Sequence, residues 1–175
     1  MKIVFVYFAG EEYLGIEYIS AVLKEKGYYT QLIYDPCLFN DYYISNQFLS
    51  RIFSFRKRVI KEILNSKADL IAFSVNTGEY KWAIRIASII KNKINTPIVF
   101  GGHHSTCLPE EVIKEDFVNF VIQGEGEYAF LELVEHLQGK RSIENVSNLY
   151  YKSNSRIYKN ELMALIEDLD GLPFP

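Results

Sequence analysis

The sequence predicts an α/β fold: a doubly wound, five-stranded parallel sheet in the order 2-1-3-4-5, followed by a β-hairpin. Strand-like apolar runs alternate with helix-like segments five times along the chain, which is typical of a parallel sheet covered by helices. The first run, residues 3–8, is continuously apolar, as expected of a strand buried on both faces. A chain of 175 residues, 49% apolar and 23% charged, is long enough for one domain with a full core.

Each element is recognised by its apolar spacing. Strands are predicted at residues 3–8, 30–34, 70–75, 98–100 and 118–122, because each is a short apolar run. Helices are predicted at residues 15–26, 48–64 and 80–91, from Pro109, and from 124–127 to about 139, because apolar residues recur there at helical spacing. Gly27 suits a helix C-terminus, and Pro109 suits a helix first turn. Right-handed connections then favour the strand order given above.

The connection at residues 37–66 is long and rich in aromatic residues. Its second half predicts one helix whose apolar side is formed by Phe48, Ile52, Phe55, Val59, Ile63 and Leu64. One interpretation is a core-facing stripe opposite a solvated basic face. The other is that Phe39, Tyr42 and Tyr43, in the irregular first half, cover a ligand or dock another domain.

The pattern changes after residue 140. Residues 146–151 and 156–158 predict a β-hairpin that turns at Ser153-Asn154-Ser155. The last segment ends in Pro173-Phe174-Pro175 and predicts a linker towards a further C-terminal domain. We therefore expect a binding domain at residues 1–140 and a hairpin with a linker at residues 141–175.

Composition excludes several kinds of partner. A net charge of −3 gives no reason to expect nucleic acid, and no apolar run approaches the roughly 18 residues of a membrane span. Cys37 and Cys107 form neither a CxxC motif nor a zinc pattern, which favours a reducing, cytoplasmic compartment. Met1-Lys2 leads directly into an apolar strand, so no signal peptide is predicted.

The candidate site is the edge of the sheet where the strands end, since ligands bind there in open α/β sheets. Its loops are residues 9–13, 35–46, 74–78, 101–107 and 123–127. Glycine and aromatic residues are frequent in these loops, and catalytic side chains are few. This edge therefore suits a large, flat, partly apolar cofactor better than a small polar substrate.

Other chemistry has weaker support. Ser105, His103, His104 and Cys107 are close in sequence, but no nucleophile-elbow motif surrounds the serine. Two adjacent histidines rarely converge on one metal ion, so we predict that they order their loop by hydrogen bonding to the backbone. Gly124-x-Gly126-x-x-Ala129 matches the dinucleotide fingerprint, but it follows the fifth strand and would place Glu125 and Glu127 at the pyrophosphate. No catalytic or metal-ligating residue is predicted.

Several motifs together resemble a known family. Ser74-Val75-Asn76 followed by Gly101-Gly102 resembles the S-x-L…G-G portion of the cobalamin (vitamin B12)-binding domain. More closely, residues 101–111 (GGHHSTCLPEE), 124–127 (GEGE) and 168–175 (DLDGLPFP) resemble the N-terminal cobalamin-binding domain of B12-binding radical SAM proteins. The resemblance covers nearly the whole chain. It implies a flavodoxin-like sheet followed by a radical SAM barrel, which is the partner in cis. The barrel would carry S-adenosylmethionine and a 4Fe-4S cluster bound by a Cx3CxxC motif. That motif is absent from this chain.

The resemblance also implies how cobalamin is held. Cobalamin-dependent mutases carry D-x-H-x-x-G after the first strand, whereas this chain has Glu12 at the histidine position. We therefore expect cobalamin bound base-off, without a histidine ligand, and its dimethylbenzimidazole tail beside Ser74 and Gly101-Gly102, where a Cβ would meet the tail. Position 76 is Asn instead of Leu. The cofactor-binding residues implied are Gly10, Glu12, Tyr13, Leu14, Gly15, Ser74, Val75, Asn76, Thr77, Gly101, Gly102, His103, His104, Gly124, Glu125 and Gly126.

Three functions from different classes remain open from the sequence. The first is the cobalamin-binding domain of a B12-dependent radical SAM methyltransferase, with the chemistry in the following barrel. The second is a non-catalytic docking scaffold of the same fold that has lost cobalamin, which the missing histidine and Asn76 favour. The third is a flavin- or nucleotide-binding domain, although residues 9–12 (AGEE) are a poor phosphate cradle because they add two negative charges.

Overall fold

One seven-stranded sheet organises the described part of the computed structural model, which is residues 1–8, 13–39 and 44–175. Its strands are β1 (Lys2–Phe8), β2 (Tyr29–Asp35), β3 (Leu70–Ser74), β4 (Ile98–Gly101), β5 (Phe120–Ile122), β6 (Leu149–Ser153) and β7 (Arg156–Lys159). The order is β2-β1-β3-β4-β5-β6-β7. The first five strands are parallel, which confirms the predicted 2-1-3-4-5 arrangement. The last two extend it by antiparallel pairing.

Helices cover both faces of this sheet. They are α1 (Leu14–Glu25), α2 (Gln47–Ile52), α3 (Arg56–Asn65), α4 (Tyr80–Lys91), α5 (His103–Cys107), α6 (Pro109–Lys114) and α7 (Glu127–Leu137). Apolar residues of α1 and α7 pack in one core with Ile3 and Phe5 of β1. Apolar residues of α3, α4 and α6 pack in the other core with Val4 and Val6. Because alternate residues of β1 enter opposite cores, the continuous apolar run is explained as predicted.

The prediction of one continuous helix at residues 48–64 is wrong. The structure divides it into α2 and α3, which are separated at residues 53–55. Phe48 and Ile52 of α2 are 72% and 60% exposed, whereas Val59 and Ile63 of α3 are buried. The core stripe therefore begins only in α3. Since α2 buries no residue and has its own N-cap in Asn46, packing does not hold it in line with α3.

The segment after β4 also differs from the prediction. We expected a loop at residues 101–107, but His103–Cys107 forms the short helix α5, directly before α6. The apolar periodicity that predicts helices needs more than one turn to be visible, so a five-residue helix escaped it.

The predicted hairpin is confirmed, and it is part of the main sheet. Strand β6 pairs with β5, with Phe120 opposite Tyr151. Tyr150 and Tyr151 are both buried. Asn154 and Ser155 have φ of 49° and 61°, as a two-residue type I′ turn requires. No helix in the described ranges is long and apolar enough to span a membrane.

Candidate functional site

An apolar slot lies between α1 and α7, above the C-terminal ends of β3 and β4. Its volume is about 150 Å³, a size at which an apolar protein cavity can hold an aromatic ring. Ile16 and Ile19 of α1 form one wall and Phe130 of α7 forms the other. The floor includes Ala72, whose small side chain leaves room at the centre of the sheet, and the rim includes Gly101 and residues 124–127.

Two adjacent glycines at the end of the slot have different structural reasons. A Cβ on Gly101 would have no atom within 4 Å, so this position opens onto free space. Gly102 has φ of 88° and ψ of −175°, a region that essentially only glycine adopts. A Cβ there would lie 2.8 Å and 2.9 Å from the backbone N and O of Val75. The sequence argument that a Cβ would meet the cofactor tail therefore misses why Gly102 is needed, which is close packing of β4 on the end of β3.

A chain of hydrogen bonds joins three predicted site residues at the rim. The His103 ring Nδ1 donates to Asn76 Oδ1 at 3.0 Å, since an amide oxygen can only accept. Asn76 Nδ2 donates to the Tyr13 hydroxyl at 3.0 Å. That hydroxyl donates to the Glu79 carboxylate, at 2.8 and 2.9 Å from its two oxygens. The rim therefore carries an oriented polar network that ends on a negative charge.

Sequence reasoning missed Glu79, although a signal was present. The Glu79 carboxylate accepts from the Asn76 backbone N–H at 3.2 Å, and the Asn76 carbonyl accepts from the N–H of Tyr80. This is one half of a capping box, the half in which a glutamate three residues after a polar residue bonds back to its backbone N–H; the Asn76 side chain bonds Tyr13 and His103 instead. The spacing Asn76-x-x-Glu79 before a predicted helix could therefore have found this residue.

His104 is packed in the protein interior, unlike the exposed His103. It is 6% exposed, its ring lies 4.1 Å from that of Tyr80, and its Nδ1 is 3.2 Å from the Thr77 hydroxyl. Burial lowers the pKa of His104. Burial, with Glu115 and Glu111 adding to it, raises the pKa of Tyr80 to about 12. Both rings are therefore neutral near pH 7, and His104 orders its segment through a side chain instead of the predicted backbone contact.

The loop after β5, residues 123–126, is anchored to the C-terminal segment. Glu125 Oε2 accepts from the Ile166 N–H at 2.7 Å. Asn148, which is buried and has φ of 60°, donates its Nδ2 to the Glu125 carbonyl and accepts from the Met163 N–H. Sequence reasoning missed Asn148, and it assigned Glu125 to cofactor binding. The structure shows that its carboxylate binds backbone 41 residues away.

The predicted residues fall into distinct groups. Gly15, Ser74, Gly101, Gly102, Gly124, Glu125 and Gly126 line the slot. Tyr13, Asn76 and His103 form the rim network, and Val75, Thr77 and His104 make contacts beneath it. Leu14 is 60% exposed. Gly10 and Glu12, like Tyr42 and Tyr43, lie outside the described residues. Within the described ranges, no three His, Cys, Asp or Glu residues are placed to hold a metal ion.

Known proteins share both the sequence pattern and the fold. The family model "B12 binding domain" matches residues 2–134. An uncharacterized methyltransferase of Pyrococcus horikoshii is 32% identical over 119 residues, which are 67% of this chain and 26% of that protein. Cytidylyl-2-hydroxyethylphosphonate methyltransferase of Streptomyces wedmorensis is 25% identical, with 93% of this chain and 35% of that protein covered.

Solved structures agree with this match at the level of the fold. The cobalamin-dependent S-adenosylmethionine radical enzyme OxsB, solved with aqua-cobalamin and S-adenosylmethionine bound, has a TM-score of 0.74 at 21% identity, over 94% of this chain and 22% of that one. The radical S-adenosylmethionine methyltransferase TsrM of Kitasatospora setae, solved with cobalamin and a 4Fe-4S cluster, has a TM-score of 0.70 at 12% identity, over 98% and 31%. The chain therefore spans about a third or less of these relatives.

Proposed function

Because the chain belongs to the B12-binding domain family, we propose that it binds cobalamin base-off, with the dimethylbenzimidazole base in the slot between α1 and α7. The observation that carries the proposal is the slot itself, which is apolar, about 150 Å³ in volume and therefore of a size to take an aromatic ring. Gly101 supports it further, because this residue leaves free space where a side chain would otherwise project.

The role of the chain would be to bind and orient the cofactor. Cobalamin, when bound, would supply a transferable methyl group, and a radical SAM barrel in cis would direct that group to a substrate carbon. The methyltransferase names among the relatives support this role. S-adenosylmethionine and the 4Fe-4S cluster would belong to the barrel, and the substrate is set there.

The rim network supplies the polar side chains that would contact the corrin of a bound cobalamin. Tyr13, Asn76 and His103 hold one another in fixed orientation, and Glu79 keeps the Tyr13 hydroxyl oriented as a donor. We propose that these side chains contact the corrin periphery, whose carboxamides are hydrogen-bonding groups. The lower face of cobalt would have no histidine from the loop after β1, because position 12 is glutamate.

A visible absorption spectrum tests the proposal. The 175-residue chain is incubated with hydroxocobalamin and desalted, and we expect a retained corrin spectrum with the base-off shift. Gly101→Leu fills the slot and should abolish retention. Gly78→Leu is the matched control, since it adds the same bulk in open space outside the slot.

Two outcomes would contradict the proposal. If neither the 175-residue chain nor the full-length protein retained corrin, the docking scaffold would be the better explanation of the function. A retained base-on spectrum, or equal retention in Gly101→Leu, would show that the base does not enter the slot.

A further inference from the structure

A second cleft, separate from the slot, lies on the opposite face of the sheet. It is lined by the last residue of β1, by the end of β2 and the residues after it, by the α2–α3 connection and by α4, and its volume is about 430 Å³. That volume is in the range of small-molecule sites. None of its lining residues also lines the slot. Whatever occupies it would therefore not compete for the space proposed for the cobalamin base.

Three cations surround this cleft. Arg56 begins α3, and Lys81 and Arg85 lie four residues apart on one side of α4. Among the described residues, none of the three forms an ion pair. Like charges at this helical spacing repel and cost stability, yet the chain as a whole carries a net charge of −3. A positive cluster that has no ion-pair partner in the described ranges, in a protein of net negative charge, suggests that a bound anion balances it.

The carboxylates near the cleft do not neutralise it. Asp35 is at the cleft and 6% exposed; its oxygens accept from the neutral donors Trp82 Nε1 at 3.2 Å and the Cys37 N–H at 3.1 Å, so its single charge offsets at most one of the three cations. Glu115 borders an adjoining depression together with Arg56 and Arg85, without pairing with either. Among the described lining residues, three cations therefore stand against the single carboxylate of Asp35, an excess of positive charge.

Part of the remaining lining is aromatic. Trp82 and Phe8 pack with ring centroids 5.0 Å apart, and Phe53 also lines the cleft. Guanidinium groups bind phosphate bidentately and lysine binds it as a point charge, while aromatic walls accept a planar ring. We propose that this cleft binds a small phosphate-bearing molecule, with its phosphate groups held by Arg56, Lys81 and Arg85.

The protein contains a built-in reporter of this site. Trp82 is the only tryptophan in the sequence, and it lines the cleft. Titrations of the cobalamin-free chain with pyrophosphate, inorganic phosphate and ADP, followed by selectively excited tryptophan fluorescence, should therefore give saturable changes. Tightest binding of ADP would identify an organic phosphate as the ligand class, whereas equal binding of pyrophosphate would identify the bare phosphate groups.

Matched variants decide whether the cluster is the site. Lys81→Gln and Arg85→Gln should each weaken pyrophosphate binding by about tenfold, the loss expected when one hydrogen bond between charged groups is removed. Lys57→Gln, on α3 but outside the cleft, should bind as the parent does. Added salt should weaken binding because the contact is ionic.

The proposal would be overturned by absence of any saturable fluorescence change, or by equal weakening in Lys57→Gln, which would indicate only a diffuse surface charge. Corrin retention, measured on the same variants, should be unchanged. Failure at this cleft is therefore distinguishable from failure of the cobalamin proposal.

Discussion

Replacing Gly102 with alanine should destabilise the fold far more than the same change at Gly101. The φ and ψ of Gly102 lie in a region that costs a non-glycine residue about 1–3 kcal/mol. A Cβ would also overlap the Val75 backbone N and O, at 2.8 and 2.9 Å. Both atoms are already hydrogen-bonded, to the Gly101 carbonyl and from the His104 N–H, so relief of the overlap breaks at least one bond, at about 1 kcal/mol.

The combined cost at Gly102 is about 2–4 kcal/mol in the free energy of unfolding. For a chain of this size, that lowers the melting temperature by roughly 10 °C. At Gly101 the added methyl group meets no atom within 4 Å, so its cost should be under about 1 kcal/mol. Urea and thermal unfolding, monitored by circular dichroism, would measure both variants beside the parent.

Two results would contradict the predicted difference between the two glycines. Equal melting temperatures for Gly102→Ala and the parent would show that the β3–β4 contact yields without cost. An equal fall in melting temperature in both variants would show that the whole turn is sensitive to substitution, and that the positive φ of Gly102 is not the cause.

Three further predictions follow from other contacts. Glu125→Ala should speed hydrogen exchange of the Ile166 amide, measured by mass spectrometry or NMR, while the exposed control Glu110→Ala should not. Asn148→Ala should lower the free energy of unfolding in urea by about 3 kcal/mol, because a buried side chain with two hydrogen bonds is removed from a left-handed position; a loss below about 1 kcal/mol would contradict the anchoring role. Burial lowers the pKa of His104 in the folded state, so the neutral ring is compatible with the fold and the protonated ring opposes it. The folded state therefore keeps its full stability above the unfolded pKa of about 6.5 and loses stability as the pH falls below it. Between about pH 7 and pH 5, the free energy of unfolding should fall less in His104→Gln than in the parent.

The sheet could be predicted from the sequence because its determinants are local. Each strand of the parallel core is a short apolar run, and the helices between them repeat their apolar residues regularly, so alternation and handedness give the strand order. The glycines of the slot were found for the same reason, since they stand at the ends of predicted strands. Local pattern fails where an element packs little, as in α2, or spans a single turn, as in α5.

The parts of the site that escaped prediction depend on distant contacts. Glu125 lies beside two glycines and reads as a helix-start residue, but its partner is the Ile166 amide. Asn148 lies in the run predicted as the first hairpin strand, but its importance comes from side-chain bonds to two loops that the run itself does not reveal. The second cleft is invisible in sequence for a similar reason, since Arg56 and Lys81 belong to helices that only the fold brings together. Predicting these features requires knowing which distant segments of the chain come into contact, and composition and spacing do not reveal this.

The anchoring of the loop after β5 bears on how the chain can be divided. Asn148 alone engages four groups: its N–H bonds to Glu161, its carbonyl to the Gln123 N–H, and its side chain to Glu125 and Met163. A truncation after α7 would remove all of these, together with β6 and its buried tyrosines. The edge of β5 would be exposed, and the loop bordering the slot would lose the residues that fix its shape. We therefore expect that a fragment must reach to about residue 166 to keep the shape of the slot, because any shorter fragment would lack the contacts that support this loop.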